Sequence, residues 1–212
     1  MTDNRLQGLY AITDAELMAD NFEQAVSQTL KGGSRIIQYR DKSDNQHKRL
    51  DQALFIRQLC HRYKALFIIN DDIELALMTN ADGVHLGKDD IDLGVARQQL
   101  GNDKIIGVSC YNQLEMAIEA ELAGADYVAF GAFFSSTIKP EAIHAPISLI
   151  KQAKARIQIP VCCIGGITAN NAGQLIEAGA DMIAVISDIF KPVNSDQDIK
   201  LASQCLSKLF SA

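Results

Sequence analysis

The chain has 212 residues, 48% of them hydrophobic and 22% charged, with a formal net charge of -6 at pH 7. This composition is typical of a soluble globular protein, and no stretch reaches the roughly 18 uninterrupted apolar residues of a membrane-spanning helix. The acidic balance argues against a broad nucleic-acid-binding surface, so an anionic ligand requires a local group of cations.

The first residues and the cysteines indicate the compartment. Residues 1–7 are polar and lack a basic segment followed by an apolar core, so we expect no secretory signal and a cytoplasmic location. No linker composition interrupts the chain, so we expect residues 1–212 to form one domain, with a homo-oligomer left open. Cysteines without C-x-x-C spacing argue against disulfides and a zinc site. We interpret all of them as buried apolar thiols: Cys60, Cys110, Cys162, Cys163 and Cys205.

Eight short apolar runs rich in Ile, Val and Phe follow one another along the chain, as expected for strands buried on both faces. They are residues 9–13, 35–40, 65–69, 84–86, 105–109, 127–131, 161–164 and 182–187. Segments of helical periodicity lie between them, among them residues 22–30, 46–63, 112–123, 148–155 and 170–178. This alternation predicts an α/β fold with a parallel sheet, and eight units predict a closed (β/α)₈ TIM barrel. An open doubly wound sheet is the alternative.

A phrase of small residues precedes four of these strands. It reads Lys31-Gly32-Gly33, Asn80-Ala81-Asp82-Gly83, Ala123-Gly124-Ala125-Asp126 and Ala178-Gly179-Ala180-Asp181. Glycine is suited to the backbone conformation that ends a helix, so we predict a helix C-cap at each phrase.

The second strand ends in polar residues, Gln38-Tyr39-Arg40-Asp41-Lys42. Active sites of TIM barrels lie at the carboxyl ends of the strands. Alternation along a strand sends Gln38, Arg40 and Lys42 to the same side, so two cations are predicted to face one mouth. Strands inside a barrel usually carry Val or Ile, which favours a functional interpretation over a solvated strand end.

Acidic turns follow the third and fourth strands. One is Asn70-Asp71-Asp72, and the other runs from His85 to Asp90. Carboxylates from neighbouring loops suit Mg²⁺, which takes oxygen ligands. The same aspartates are equally suited to cap the helices that follow, and spacing alone does not choose between these interpretations. A lone histidine at a strand end, such as His85, is more typical of a packed and hydrogen-bonded residue than of a catalytic one.

The later strands add hydroxyls, a lysine and glycines to the same rim. Ser109 ends the fifth strand, and the loop of residues 131–140 after the sixth contains Lys139. Gly165-Gly166 follows the seventh strand and Ile186-Ser187 ends the eighth, where phosphate-using barrels bind phosphate. Cations with a metal on one side and a phosphate cup on the other suit two phosphorylated substrates. They predict a transfer that releases pyrophosphate.

Together these segments resemble the thiamine phosphate synthase family. In chain order they are Gln38-x-Arg40-x-Lys42, Asn70-Asp71-Asp72, Val84-His85-Leu86-Gly87-x-x-Asp90, Gly107-Val108-Ser109, Ser136–Lys139, Gly165-Gly166-Ile167-Thr168 and Val185-Ile186-Ser187. No one segment is diagnostic, but seven in order cover nearly the whole chain.

The resemblance implies a role for each matching residue. The aminopyrimidine diphosphate would be bound by Gln38, Tyr39, Arg40, Asp41, Lys42, Asn70, Ser109 and Lys139. The catalytic residues among these would be Arg40, Lys42, Ser109 and Lys139, and the ligands of Mg²⁺ would be Asp71 and Asp90. The thiazole phosphate would be bound by Ser136, Thr137, Ile138, Gly166, Ile186 and Ser187. In the family's mechanism pyrophosphate leaves first, and the thiazole nitrogen then captures the pyrimidine carbocation.

Two departures and two alternatives accompany the resemblance. Family members commonly have Gln where this chain has Lys88, and Thr-x-Thr-Lys where it has Ser136-Thr137-Ile138-Lys139. The second departure removes a hydroxyl expected near the thiazole phosphate. The alternatives are a thiazole tautomerase, with His144 as its histidine, and a non-catalytic regulatory barrel. The retained set of cations and carboxylates favours the synthase.

Overall fold

The computed structural model describes residues 4–18, 21–87, 90–135, 143–190 and 196–210. Eight parallel strands close into a barrel in chain order, with β8 hydrogen-bonded back to β1. They are β1 (Gly8–Ile12), β2 (Ile36–Tyr39), β3 (Leu66–Asn70), β4 (Gly83–Leu86), β5 (Ile105–Tyr111), β6 (Tyr127–Phe130), β7 (Val161–Ile164) and β8 (Met182–Val185). The predicted (β/α)₈ barrel is confirmed. The doubly wound alternative is wrong, because Tyr10 of β1 is in register with Ala184 of β8.

Helices surround this barrel. They are α1 (Ala15–Met18), α2 (Phe22–Lys31), α3 (Gln46–Tyr63), α4 (Ile73–Met78), α5 (Leu93–Leu100), α6 (Leu114–Leu122), α7 (Ser148–Lys154), α8 (Ala172–Glu177), α9 (Ser187–Phe190) and α10 (Asp196–Lys208). The α3 helix has the predicted bounds, and Asn45 caps it by accepting a hydrogen bond from the Lys48 N–H at 3.0 Å. No helix in the described ranges is both long and apolar enough to cross a membrane.

Strand residues alternate between the barrel interior and the helix layer. Tyr10, Ile36, Ile68 and Tyr127 belong to the buried cluster that fills the interior. The interior accommodates the Tyr127 ring because the adjacent β5 carries Gly107, where a Cβ would lie 2.0 Å from the Tyr127 Cζ. The centre of the barrel therefore contains two tyrosine hydroxyls, which need hydrogen-bond partners once they are buried.

The small-residue phrases lie at helix ends in all four predicted places, and a glycine takes the left-handed position in three of them. Gly33, Gly124 and Gly179 have left-handed φ values of 97°, 93° and 110°. The prediction is wrong for Gly83, which lies in β4, and Asn80 with φ 49° takes the left-handed position instead. Gly83 is needed for close strand packing, because a Cβ there would lie 2.0 Å from a backbone oxygen of β5.

Four of the five cysteines are buried, as predicted, but Cys205 is exposed on α10. Helix α10 is amphipathic, and position 205 falls on its outer face beside the buried Leu206. Burial raises the pKa of the Cys110 thiol to about 12, so this thiol stays protonated at neutral pH.

Three aspartates form what we call the amino-end clamps. They are Asp82, Asp126 and Asp181, which immediately precede β4, β6 and β8. Each carboxylate accepts the backbone N–H of the residue opposite it on the preceding strand, at 2.7–2.8 Å. Each also pairs with a cation from the helix layer, the three cations being Arg57, Arg97 and Lys154. The clamps therefore join β3 to β4, β5 to β6 and β7 to β8 at the end of the barrel opposite the predicted site.

Candidate active site

Gln38 and Asn70 lie on the inward face of the barrel near its carboxyl end. Gln38 is only 3% exposed, and its side-chain Nε2 donates to the Tyr10 hydroxyl at 2.7 Å. Asn70 ends β3 in register with His85 of β4. Both predicted pyrimidine-binding amides therefore lie on inward positions of neighbouring strands.

Arg40 and Lys42 bring two cations to the same rim. Thr13, directly after β1, holds Arg40 in place because its hydroxyl accepts the Arg40 backbone N–H at 2.9 Å. Among the described residues the Arg40 guanidinium has no ion-pair partner, whereas the Lys42 ammonium pairs with Asp71. Of these two cations, Arg40 is therefore the one that is available to an anionic ligand within the described part of the chain.

Two predicted substrate contacts, Tyr39 and Asp41, have side chains directed elsewhere. The Tyr39 ring packs against Phe22 in the helix layer, and its hydroxyl donates to Gln52 Oε1 at 2.9 Å. The Asp41 carboxylate is 2% exposed and accepts hydrogen bonds from the Ser43 N–H at 2.7 Å and the Lys48 ammonium at 2.9 Å. These two side chains shape the loop after β2, and the role of Tyr39 and Asp41 in pyrimidine binding stays a prediction.

The two predicted metal ligands lie against each other. Asp71 has a left-handed φ of 63°, and its carboxylate accepts hydrogen bonds from Lys42 and from the Asn70 amide, the latter at 2.5 Å. The Asp90 carboxylate accepts the Gly87 N–H at 2.6 Å, and the Asp71 and Asp90 carboxyls are close enough for each to shift the pKa of the other. The ends of β3 and β4 thus bring two carboxyl groups together.

These contacts shift the two pKa values in opposite directions. Burial and then the neighbouring Asp90 carboxyl raise the pKa of Asp71, although Lys42 opposes the shift. Burial also disfavours ionised Asp90, but hydrogen bonds from Asp71 and Gly87 and the charge of Lys42 hold the pKa of Asp90 below its usual range. The pair therefore retains one shared proton more readily than two isolated carboxyls would.

The capping interpretation fails for both of these aspartates. Helix α4 is capped by Asp72, whose side chain accepts the Leu75 N–H at 2.9 Å. Helix α5 is capped by Asp92, which accepts the Gly94 N–H at 2.8 Å. Asp71 and Asp90 cap neither helix, so their clustering needs another explanation.

The donor set at Asp71 and Asp90 fits Mg²⁺. This ion is usually held by one or two carboxylates and completes its octahedron with water and substrate phosphate oxygens. Within the described ranges, no cluster of three or more His, Cys, Asp or Glu side chains could hold a metal. A divalent cation held by Asp71 and Asp90 would relieve the repulsion between their ionised carboxylates.

A chain of side-chain hydrogen bonds crosses the barrel interior. From the Tyr10 hydroxyl, which Gln38 contacts, it passes to the Tyr127 hydroxyl at 2.8 Å, to His85 Nδ1 at 2.9 Å, and from His85 Nε2 to Ser109 Oγ at 2.8 Å. Burial lowers the pKa of His85 to about 4, so the ring is neutral at neutral pH. His85 is packed and hydrogen-bonded, as predicted, and it contacts the predicted catalytic Ser109.

The sequence reasoning missed Tyr10 and Tyr127. Periodicity places each on the inward face of a short strand, where a hydroxyl is unusual and is itself a signal of a polar network. The opposing Gly107 is a second signal, since it leaves room for a large ring. That the two hydroxyls meet is a consequence of barrel closure, which one sequence does not reveal.

A tight double turn follows β7. Gly165 and Gly166 have φ values of 101° and 62°, and a Cβ on Gly166 would lie 2.4 Å from Ser135 O. Asn171 holds the turn by donating to Gly166 O at 3.0 Å. Asp188 in α9 accepts an N–H of the same loop at 3.2 Å. The loops after β7 and β8 are therefore joined where a phosphate cup is predicted.

The rest of the predicted thiazole phosphate set is only partly visible. Ile186 packs against the interior cluster, and Ser187 begins α9 beside it. His144, the histidine of the tautomerase alternative, is exposed. Five residues discussed in the sequence analysis lie outside the described part of the chain: Lys88, Ser136, Thr137, Ile138 and Lys139.

Known proteins resemble this chain over almost its whole length. The sequence model of the family described as thiamine monophosphate synthase matches residues 9–189. A thiamine-phosphate synthase from Thioalkalivibrio sulfidiphilus is 49% identical over 190 residues, which cover 89% of this chain and 90% of that protein. One from Nitrosococcus oceani is 47% identical and covers 97% and 93%. The solved structure of thiamine phosphate pyrophosphorylase from Pyrococcus furiosus has a TM-score of 0.87 and 35% identity, covering 98% of this chain and 96% of that chain. The chain therefore belongs to the thiamine-phosphate synthase family.

Proposed function

We propose that this protein joins an aminopyrimidine diphosphate to a thiazole phosphate and releases pyrophosphate, giving thiamine phosphate. Family membership supports the reaction, and one local observation carries its assignment to this site. The carboxyl pair Asp71–Asp90 lies at the mouth beside Lys42, in a position that capping does not explain. A pair of carboxyls beside a lysine is suited to a metal-bound diphosphate. The metal ion and the lysine together neutralise the charge of a diphosphate, which is larger than that of a monophosphate.

The first chemical step is departure of the diphosphate. The bond between the pyrimidine methylene carbon and the diphosphate oxygen breaks, and its electron pair goes to the leaving oxygen. Arg40, whose guanidinium has no ion-pair partner among the described residues, stabilises the charge that develops there, and Lys42 and Lys139 are proposed to assist. Asp71 and Asp90 would hold Mg²⁺, which would neutralise further diphosphate charge when bound.

The second step joins the two rings. The thiazole nitrogen donates its lone pair to the methylene carbon, and positioning carries this step because no protein nucleophile is needed. We propose that the double turn at Gly166, with Ser187 and the hydroxyls of residues 136 and 137, binds the thiazole phosphate. Gln38, Asn70 and Ser109 hold the pyrimidine from the inward face of the barrel.

The alternatives receive less support from the site. A tautomerase would rely on His144, whose side chain is exposed. A regulatory barrel would have no use for the Asp71–Asp90 pair or for the guanidinium of Arg40, which forms no ion pair with any described residue. For the remaining properties we propose a cytoplasmic protein with one domain over residues 1–212 that acts on small molecules.

The test is to mix the protein with Mg²⁺ and both substrates and to measure thiamine phosphate and pyrophosphate. Equal amounts of the two products are expected, and EDTA should stop their formation. Arg40→Met should lower kcat by about ten- to a hundredfold, the value of a hydrogen bond to a charged group. Arg62→Met is the matched control, since Arg62 is exposed at the far end of α3. Absence of both products with the wild-type protein would refute the proposal, and an unchanged kcat in Arg40→Met would remove that residue from it.

A further inference from the structure

The hydrogen-bond chain through the barrel interior joins two residues of the proposed pyrimidine site. It begins at Gln38 and ends at Ser109, and its three links are Tyr10, Tyr127 and His85. The two tyrosines are 1% and 0% exposed, so no bulk solvent can supply or accept a proton between them. In such a chain the direction of one hydrogen bond restricts the direction of the next.

The direction is set at the Gln38 end. Gln38 Nε2 can only donate, so Tyr10 accepts there and its own proton has one described acceptor, the Tyr127 hydroxyl. Tyr127 accepts that proton and must donate its own to His85 Nδ1. The ring then carries its hydrogen on Nε2 and donates it to Ser109 Oγ. The Ser109 hydroxyl, having accepted, directs its own proton to another acceptor.

The opposite direction leaves a buried proton without an acceptor. If His85 Nδ1 carried the hydrogen, Tyr127 would accept it and donate to Tyr10. Tyr10 would then accept from both Gln38 and Tyr127, and its own proton would have no remaining partner in the network that the structure describes. A buried unpaired hydroxyl proton is unfavourable by the full loss of its hydrogen bond with water. The arrangement of donors thus favours one direction.

We propose that Tyr127 and His85 are positioning residues that fix the Ser109 hydroxyl as a hydrogen-bond donor to the pyrimidine substrate. This inference rests on the proposed function for the identity of the acceptor. The direction of the chain itself does not depend on it. A pyrimidine ring nitrogen and the oxygens of the diphosphate both offer lone pairs. A serine hydroxyl fixed as a donor can form a hydrogen bond with either of them. A serine fixed as an acceptor would face them with its own lone pair and could not.

The direction is measured first, in the protein without substrates. Nitrogen-15 NMR of the histidine rings distinguishes which nitrogen carries the hydrogen, and a His85→Gln variant assigns the signal among the four histidines. The expected result is a neutral ring with its hydrogen on Nε2. A hydrogen on Nδ1 at neutral pH would overturn the proposal, whatever the activity of the enzyme.

The role of the direction is measured with two matched variants, each of which removes one buried hydroxyl. Tyr127→Phe removes the donor to His85 Nδ1, so the single Nε2–H form should give way to a mixture, and kcat should fall about five- to tenfold. In Tyr10→Phe the Tyr127 hydroxyl still donates to His85 Nδ1, the acceptor left to it in the described network, so the Nε2–H form should persist. The Tyr10→Phe variant should instead have a higher KM for the pyrimidine diphosphate, because Gln38 loses its hydrogen-bond partner.

A double-mutant cycle separates a positioning role from general damage to the barrel. If Tyr127 acts through Ser109, the kcat of the variant with both Tyr127→Phe and Ser109→Ala should equal that of Ser109→Ala alone. Multiplying effects, or a Tyr127→Phe variant with unchanged kcat, would overturn the role. If Tyr127→Phe fails to fold, the ring measurement on the wild type still decides the direction. A wild-type protein with the Nε2–H ring but no synthase activity would refute the proposed function and leave the hydrogen-bond direction intact.

Discussion

At the amino end of the barrel three aspartates each accept a backbone N–H from the neighbouring strand, whereas at the carboxyl end two aspartates lie against each other. Asp181 illustrates the first arrangement, with the Val161 N–H at 2.7 Å and the Lys154 ammonium at 2.8 Å. Asp71 illustrates the second, where burial and a neighbouring carboxyl raise its pKa. An aspartate carboxylate at the amino end has fixed hydrogen-bond donors and a cation for its charge. At the carboxyl end the charge of Asp71 is only partly compensated, because a second carboxyl lies beside it.

The difference separates stability from function within one fold. A carboxylate with its own amide and cation stabilises the folded state and has little capacity left for a ligand. A pair of carboxylates that share a proton is destabilised when both are ionised, and an incoming cation relieves that repulsion.

The largest expected effect comes from changing the acidic pair. Asp71→Asn should lower Mg²⁺-dependent turnover by roughly 100-fold or more, since even second-shell partners of a metal are worth about 10- to 100-fold. Its thermal stability without metal should be equal to the wild type or higher, because the repulsion with Asp90 is removed and Asn tolerates a left-handed φ. Steady-state kinetics over a Mg²⁺ titration and a melting curve in EDTA measure the two effects.

Asp90→Asn should give the same pair of results from the other side of the site. Asp72→Asn is the control, because Asp72 is the neighbouring helix cap and asparagine also caps well. Normal turnover and an unchanged Mg²⁺ requirement in both Asp71→Asn and Asp90→Asn would contradict the metal site and remove the contrast between the two ends.

The next effect belongs to the amino end. Asp181→Ala should lower the free energy of unfolding by about 1.5–3 kcal/mol, the contribution of a hydrogen bond to a charged group, since the Val161 N–H loses its acceptor. The kcat should stay close to wild type because the clamp lies at the opposite end from the site. Urea denaturation followed by circular dichroism gives the first quantity and the synthase assay the second.

Lys154→Met is the matched variant of the same clamp. It removes the cation and keeps the carboxylate on the backbone N–H, so it should be less destabilising than Asp181→Ala, by the modest value of a partly exposed ion pair. Equal destabilisation by the two variants would show that the ion pair, and not the hydrogen bond to the strand, is the main contribution of the clamp.

The two ends also differ in how much the sequence predicts. The recurring small-residue phrase predicts the helix ends at Gly124 and Gly179, and helix periodicity predicts α3 with its observed bounds. Both depend on interactions within one repeat.

At the carboxyl end the outcome depends on backbone geometry that spacing does not encode. Asp71 and Asp72 are adjacent in the chain, yet the left-handed φ of Asp71 turns one toward Asp90 and leaves the other to cap α4. Asp41 is a related case, since the turn at Ser43 encloses its carboxylate. Contacts of the folded chain, which a single sequence does not show, decide these cases, whereas the outward direction of the Tyr39 side chain follows from alternation along β2.

The smallest expected effect tests Asp41, a carboxylate near the site that is bonded like an amino-end clamp. Burial disfavours its charge, but hydrogen bonds from the Ser43 N–H and Lys48 and the Lys48 charge hold the pKa of Asp41 below its usual value. Its contribution to stability is therefore fully present above the unfolded pKa of about 3.9 and declines as the pH falls through the lower folded value. Asp41→Asn should cost about 1 kcal/mol at pH 7, because an amide oxygen can still accept the Ser43 N–H while the charged bond to Lys48 is lost.

Asp44→Asn provides the control, since Asp44 is exposed in the same loop. Urea denaturation of the wild type and both variants at pH 7 and near pH 3 measures the difference. The cost of Asp41→Asn should shrink toward zero at the lower pH, while Asp44→Asn should match the wild type at both. A cost that stays constant with pH would mean that Asp41 contributes through packing or its hydrogen-bond geometry and not through its charge. In that case the stabilising role of an aspartate would depend on its position in the barrel more than on the donors and cations that contact its carboxylate.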